Sequence, residues 1–122
     1  MRYNSNSQMD KIYFKFIALP EAREFIRSLM PEIREKVYYN IRKVSGGIKD
    51  RELFKKLEGT EIWEFRTLYK GSCYRLFAFW DKTEETFVIA THGIIKKTQK
   101  TPLKEISKAE QIRKEYLAKN NS

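Results

Sequence analysis

The sequence predicts an α+β domain with elements in the order β-α-α-β-β-β-α, and three observations predict it. Hydrophobic spacing runs at helical period through residues 20–45, switches to period two between 62 and 95, and returns to helical period after 102. Prolines 20, 31 and 102 each stand where a helix would begin, and Gly46–Gly47 stands where one would stop. The aromatic and β-branched residues concentrate in the middle of the chain, while Lys and Arg concentrate on either side of it.

Residues 1–10 are polar and read as a flexible N-terminus, followed by one domain over 11–118 and a flexible end at 119–122. From Lys11 to Leu19 the run KIYFKFIAL is a first strand. Pro20 opens a helix on which Ala22, Phe25, Ile26 and Leu29 form one stripe. A first-turn residue has no intrahelical N–H bond to lose, so proline costs nothing there. Pro31 opens the next helix, with Ile33, Val37, Ile41 and Val44 on one face. KDRELFKKLEG then reads as a charged connector. Ile62–Leu68, Ser72–Trp80 and Thr86–Ile95 are three strands of an antiparallel meander, the first two joined by a turn at Tyr69-Lys70-Gly71. After Pro102, the stripe Leu103, Ile106, Ala109, Ile112 and Tyr116 marks a closing helix.

The chain has 122 residues and a formal net charge of +9, from 25 Lys+Arg against 16 Asp+Glu. Its 14% aromatic content excludes a solvated, disordered tail. No stretch approaches the ~18 consecutive apolar residues of a membrane span, and the first residues lack the apolar segment of a secretory signal. Cys73 is the one cysteine, so neither an internal disulfide nor a zinc cluster is expected, and a cytoplasmic location is. Positive charge points to a polyanionic partner. Residues 1–58 carry 13 basic and 8 acidic groups, residues 59–93 carry 4 and 5, and residues 94–122 carry 8 and 3. The predicted sheet is therefore nearly neutral between two basic flanks.

Alternation sorts each strand into two faces. Trp63, Phe65 and Thr67 share one, and Ile62, Glu64, Arg66 and Leu68 the other. Arg75 falls with Cys73, Phe77 and Phe79, and His92 with Val88, Ala90, Ile94 and Lys96. Arg66, Arg75, His92 and Lys96 are thus polar groups inside apolar strands, with Lys97 next and Lys55 and Lys56 just before the meander. One reading is a phosphate-binding groove. Arginine engages phosphate with a planar fork, lysine supplies point charge, and histidine titrates near neutrality. Cleavage of RNA by its own 2′-OH needs that proton removed, charge on phosphorus stabilised and the 5′-oxygen protonated. Arg66 and Arg75 suit the second task, and His92 the first or third. The plainer reading stands beside it: strand arginines are usually solvated or ion-paired, Glu64 can pair with either, and a strand-end histidine is usually structural.

The runs KKLEG at 55–59, IWEFR at 62–66, YR at 74–75 and THGIIKKTQKTP at 91–102, with Ala109 in the closing helix, occur in an order that resembles one family. This is the HigB-type branch of the RelE/ParE toxin superfamily, the toxins of type II toxin–antitoxin pairs. The likeness spans roughly residues 50–117. It implies a RelE-like microbial RNase fold, a curved antiparallel sheet with two N-terminal helices and a C-terminal helix. It also implies a ribosome-dependent mRNA endonuclease that works without metal or cofactor and yields a 2′,3′-cyclic phosphate. By position, Arg66 and Arg75 would hold the scissile phosphate, Lys55, Lys56, Lys96 and Lys97 would contact RNA backbone, and His92 would be the acid or base.

The resemblance further implies a helix-turn-helix antitoxin as partner, with ribosome and mRNA as targets and DNA contacted only through the antitoxin complex. Two alternatives share the fold, a gyrase-inhibiting toxin of the ParE kind and a non-catalytic binding module.

Overall fold

The computed structural model describes residues 12–97 and 100–120. The expected flexible N-terminus and the start of the first strand at Lys11 lie outside the described residues. Strand β1 (Lys15–Ala18) leads into helices α1 (Pro20–Arg27) and α2 (Pro31–Ser45). Four strands follow, β2 (Phe54–Lys56), β3 (Trp63–Tyr69), β4 (Ser72–Asp81) and β5 (Phe87–Lys96), and then helix α3 (Leu103–Asn120). Residues 119 and 120 are the last two of that helix.

The α+β class and the helix placement follow the expectation, and the sheet departs from it in two ways. First, it has five strands, in the order β1-β5-β4-β3-β2. The extra one, β2, comes from the charged connector and pairs antiparallel with β3, Lys55 opposite Glu64. Three residues, one of them buried, carry too little alternation to register as a strand. Second, the sheet is mixed. β1 lies parallel to β5, Lys15 opposite Phe87. The two helices carry the chain across to the far edge, and the meander returns it in four alternating passes, so β5 ends beside β1 running the same way.

Lys70 and Gly71 have φ of 48° and 83°, both in the left-handed region, so β3 and β4 are joined by a two-residue turn whose twist matches the strands. Tyr69 belongs to the strand, opposite Ser72.

Apolar burial forms two layers. On one face of the sheet Ala22, Ile26, Val37 and Ile41 of α1 and α2 cover Phe65, Leu76, Ala78 and Val88. On the other, Ala109 of α3 sits over Ile62, Phe77, Phe79 and Ile89, with Ile106 and Tyr116 packed around it. Leu103, expected in that helix's stripe, is 78% exposed. Six residues before Ala109, it lies about 120° around the helix and clears the sheet.

Candidate functional site

Cross-strand pairing sets which side chains meet. Arg66 of β3 is directly opposite Arg75 of β4, and Glu64 is opposite Phe77. Side chains paired in this way share a face, and it is the face covered by α3. Two guanidiniums placed together repel, and the buried carboxylate between them offsets this. Arg75 Nη1 donates to Glu64 Oε2 at 3.0 Å and to Thr101 Oγ1 at 2.8 Å, and Thr101 Oγ1 donates to the same carboxylate oxygen at 2.9 Å. Arg66 Nε lies 3.7 Å from Glu64 Oε1, and its Nη1 lies 3.5 Å from Glu52 Oε1. Arg75 is 1% exposed, Arg66 6% and Glu64 0%. Both arginines are therefore interior and ion-paired rather than solvated, Arg75 beside Thr101 and Arg66 between Glu64 and Glu52.

His92 reaches the same face by a route that alternation alone does not show. Phe77 pairs with His92 but the next residue, Ala78, pairs with Ala90, so Thr91 is an extra residue in β5, a β-bulge. The bulge reverses the alternation. His92 falls with Ile89, Phe77 and Arg75, not with Val88 and Ala90 as strict alternation predicts. Its ring lies 4.9 Å from that of Phe77, centroid to centroid. Nε2 is 2.9 Å from Glu105 Oε1 of α3, and Nδ1 is 2.9 Å from Thr91 Oγ1. Burial pushes His92 below its ordinary pKa, opposed in part by its hydrogen bond to Glu105. The ring is then neutral at neutral pH, and the Thr91 hydroxyl beside Nδ1 also donates to the Phe77 carbonyl at 3.3 Å.

The lysines divide. Lys55, opposite Glu64, and Lys96, opposite Cys73, lie on the arginine face and flank the cluster. Lys56 pairs with Trp63 on the reverse face, is exposed, and approaches Glu61 at 4.0 Å. Lys97 lies exposed beyond the end of β5. Of the seven residues singled out from the sequence, five share a face, and Lys56 and Lys97 do not join them. Thr98 and Gln99, in the KKTQKTP run, lie outside the described residues.

Sequence reasoning did not single out Thr101, Glu105 or Thr91. Glu105 meets His92 across thirteen positions of chain, and nothing local signals that. Gly93 did carry a signal, a glycine inside a strand. A Cβ there would come 2.3 Å from the Phe25 ring, so the glycine lets α1 lie directly on β5. Among the described residues, no three His, Cys, Asp or Glu side chains cluster so as to hold a metal ion, and no helix is long and apolar enough to cross a membrane.

The family described as Phage derived protein Gp49-like (DUF891) matches residues 24–114, a span that runs from α1 through the arginine pair to α3. The chain belongs to this family. No curated protein matches it. Among solved structures, the Gp49-like chain is similar to a chain of the RelBE2 toxin–antitoxin complex from Mycobacterium tuberculosis, at 22% identity and a TM-score of 0.46 over 67% of this chain and 96% of that one. It is also similar to a chain of the intact RelBE toxin–antitoxin complex of E. coli, at 19% identity and a TM-score of 0.48 over 71% and 99%.

Proposed function

We propose that this Gp49-like chain is the toxin of a type II toxin–antitoxin pair of the HigB kind, a cytoplasmic endoribonuclease that cuts mRNA on the ribosome. The observation that carries the reading is the pairing of Arg66 and Arg75 on one sheet face with His92, Lys55 and Lys96 around them. That set fits a phosphodiester in the middle and RNA backbone at the edges. The ordered motifs from KKLEG to KKTQKTP support the same reading.

The chemistry asks little beyond placement and charge. The 2′-oxygen attacks phosphorus and the bond to the 5′-oxygen breaks, leaving a 2′,3′-cyclic phosphate and a 5′-hydroxyl. Arg66 and Arg75 balance the charge gained on phosphorus. His92, held neutral by burial, can take the 2′-OH proton and, as imidazolium, return it to the departing 5′-oxygen. Thr101 and Glu105 occupy these groups in the closed chain, so RNA reaches them when Thr101 and the first turn of α3 move off the sheet. An antitoxin with a helix-turn-helix domain is the partner in this reading, and it supplies the DNA contact.

Cell-free translation with primer extension tests it. Wild-type protein cleaves translated message, and Arg66→Lys or His92→Gln lowers cleavage by about a hundredfold or more while circular dichroism shows the fold retained. Intact message in the presence of folded wild-type protein overturns it. One observation favours a second reading, the non-catalytic binding module: all three candidate catalytic side chains are buried and engaged. That reading predicts intact message and unimpaired growth on expression. Inhibition of gyrase supercoiling without cleavage would instead favour the gyrase-directed alternative.

A further inference from the structure

The opposite face of the sheet carries a second concave site that plays no part in the proposed cleavage. It is a groove of about 700 Å³ between the end of α2, the residues before β1, and the Phe54, Trp63 and Trp80 positions of β2, β3 and β4. Its apolar walls are chiefly rings. Phe54 stacks on Trp63 with centroids 4.7 Å apart, and Trp63 meets Trp80 edge to face at 5.8 Å. Tyr13 stands at the mouth, its backbone N–H bonded to the Ser45 carbonyl at 2.7 Å. Gly47, at φ of +108°, lets that ring lie against the chain, since a Cβ there would come 2.4 Å from it. Cations dominate the rim: Lys49, Arg51 and Lys82 against the single acid Asp50. Lys82 Nζ lies 5.0 Å from the centre of the Trp80 ring. The Trp80 indole N–H is buried with no hydrogen-bond partner among the described residues.

We infer that this groove binds an unpaired nucleotide of RNA, the base against the tryptophan and tyrosine rings and the phosphate on Arg51 and Lys82. Five of the lining residues are aromatic and only Val44 and Ile48 are branched aliphatic. An aliphatic anchor from a protein partner favours the reverse balance, whereas every nucleobase presents a π face to a ring. Three cations at one mouth suit a phosphate diester and give the binding a salt dependence. Because the groove faces away from Arg66 and Arg75, it is a second RNA contact, independent of any cleavage at the first.

Trp63 and Trp80 are the only tryptophans in the chain, so selectively excited tryptophan fluorescence reports on this groove alone. The full chain is titrated with the tetranucleotide of adenylate, with AMP, and with polyglutamate as an anion that has no base. Saturable quenching by the tetranucleotide, weakened by added salt, is the expected result. The Arg51→Ala/Lys82→Ala double variant raises the half-saturation concentration by about tenfold, since two phosphate-contacting charges are lost. Tyr13→Ala weakens quenching by about five- to tenfold through lost stacking. All three side chains are exposed, so these variants keep the fold. Arg66→Lys titrates like wild type, which separates this site from the proposed catalytic one. AMP quenching as strongly as the tetranucleotide identifies a free nucleotide as the ligand, and weaker AMP quenching identifies a strand. Absence of quenching by both, equal quenching by polyglutamate, or titrations unchanged by the double variant would overturn the inference.

Discussion

A buried histidine held neutral between a hydroxyl and a carboxylate links protonation to stability. His92 has a folded pKa below its ordinary value of 6.5, chiefly through burial. The unfolded chain therefore binds a proton that the folded chain resists. Stability from this group is full above pH 6.5 and is lost as pH falls toward the folded value. Urea denaturation at pH 7.5 and pH 5 should show wild type losing stability on acidification, and His92→Gln losing less. Equal losses in both proteins would mean that other groups carry the acid sensitivity. The neighbouring Glu64 serves two arginines from a fully buried position. Breaking such a cluster at one member leaves an uncompensated interior charge. For that reason loss of activity in an Arg75 variant has meaning only beside a measurement of its fold.

Contact between elements depends on single positions where backbone and ring meet. α1 lies on β5 because Gly93 leaves room for Phe25, whose ring would otherwise sit 2.3 Å from a Cβ. Gly93→Ala should cost about 1–3 kcal/mol, the usual range for overpacking a close contact. Phe25→Leu in the same chain should recover part of that loss, as a double-mutant cycle of urea midpoints would show. Additive effects would mean that the helix shifts instead of clashing. The Thr91 bulge acts at the same scale. One inserted residue turns His92 from the α1–α2 face to the α3 face, and brings it within hydrogen-bonding distance of Glu105.

Across the whole molecule the two helical layers are held unequally. α2 buries Ile33, Val37, Asn40, Ile41 and Val44, while α3, although longer, fully buries Ala109 alone. Much of what fastens α3 is polar: Glu105 to His92, Glu110 to the Glu61 backbone, and an ion pair from Lys108 to Glu21 of α1. Elements with few buried apolar contacts open locally at less cost than the global transition. Native-state hydrogen exchange should therefore show α3 amides exchanging through local opening while α2 amides exchange only through global unfolding. The cover over Arg75 and His92 is in that case the first part of the fold to lift. Equal protection of both helices would count against access by that route.

Much of this architecture is legible in the linear chain. Proline and glycine punctuation marks the helices, because a missing N–H or a missing Cβ acts on the residue that carries it. Period-two spacing marks the three long strands and places Arg66 and Arg75 among apolar neighbours, since alternation is a local property of extended backbone. The KKLEG to KKTQKTP order carries the family resemblance. What alternation could not convey came from contacts distant in sequence. The parallel seat of β1 against β5, the edge strand at Phe54–Lys56 and the bulge at Thr91 all depend on which strand lies alongside. The enclosure of the arginines is decided in the same way. Glu64 is legible as an arginine partner, whereas Thr101 and Glu105 become the partners of Arg75 and His92 only when the chain from Thr101 into α3 packs across the sheet. Charge and spacing are written locally, whereas burial is a property of the layer that folds over them.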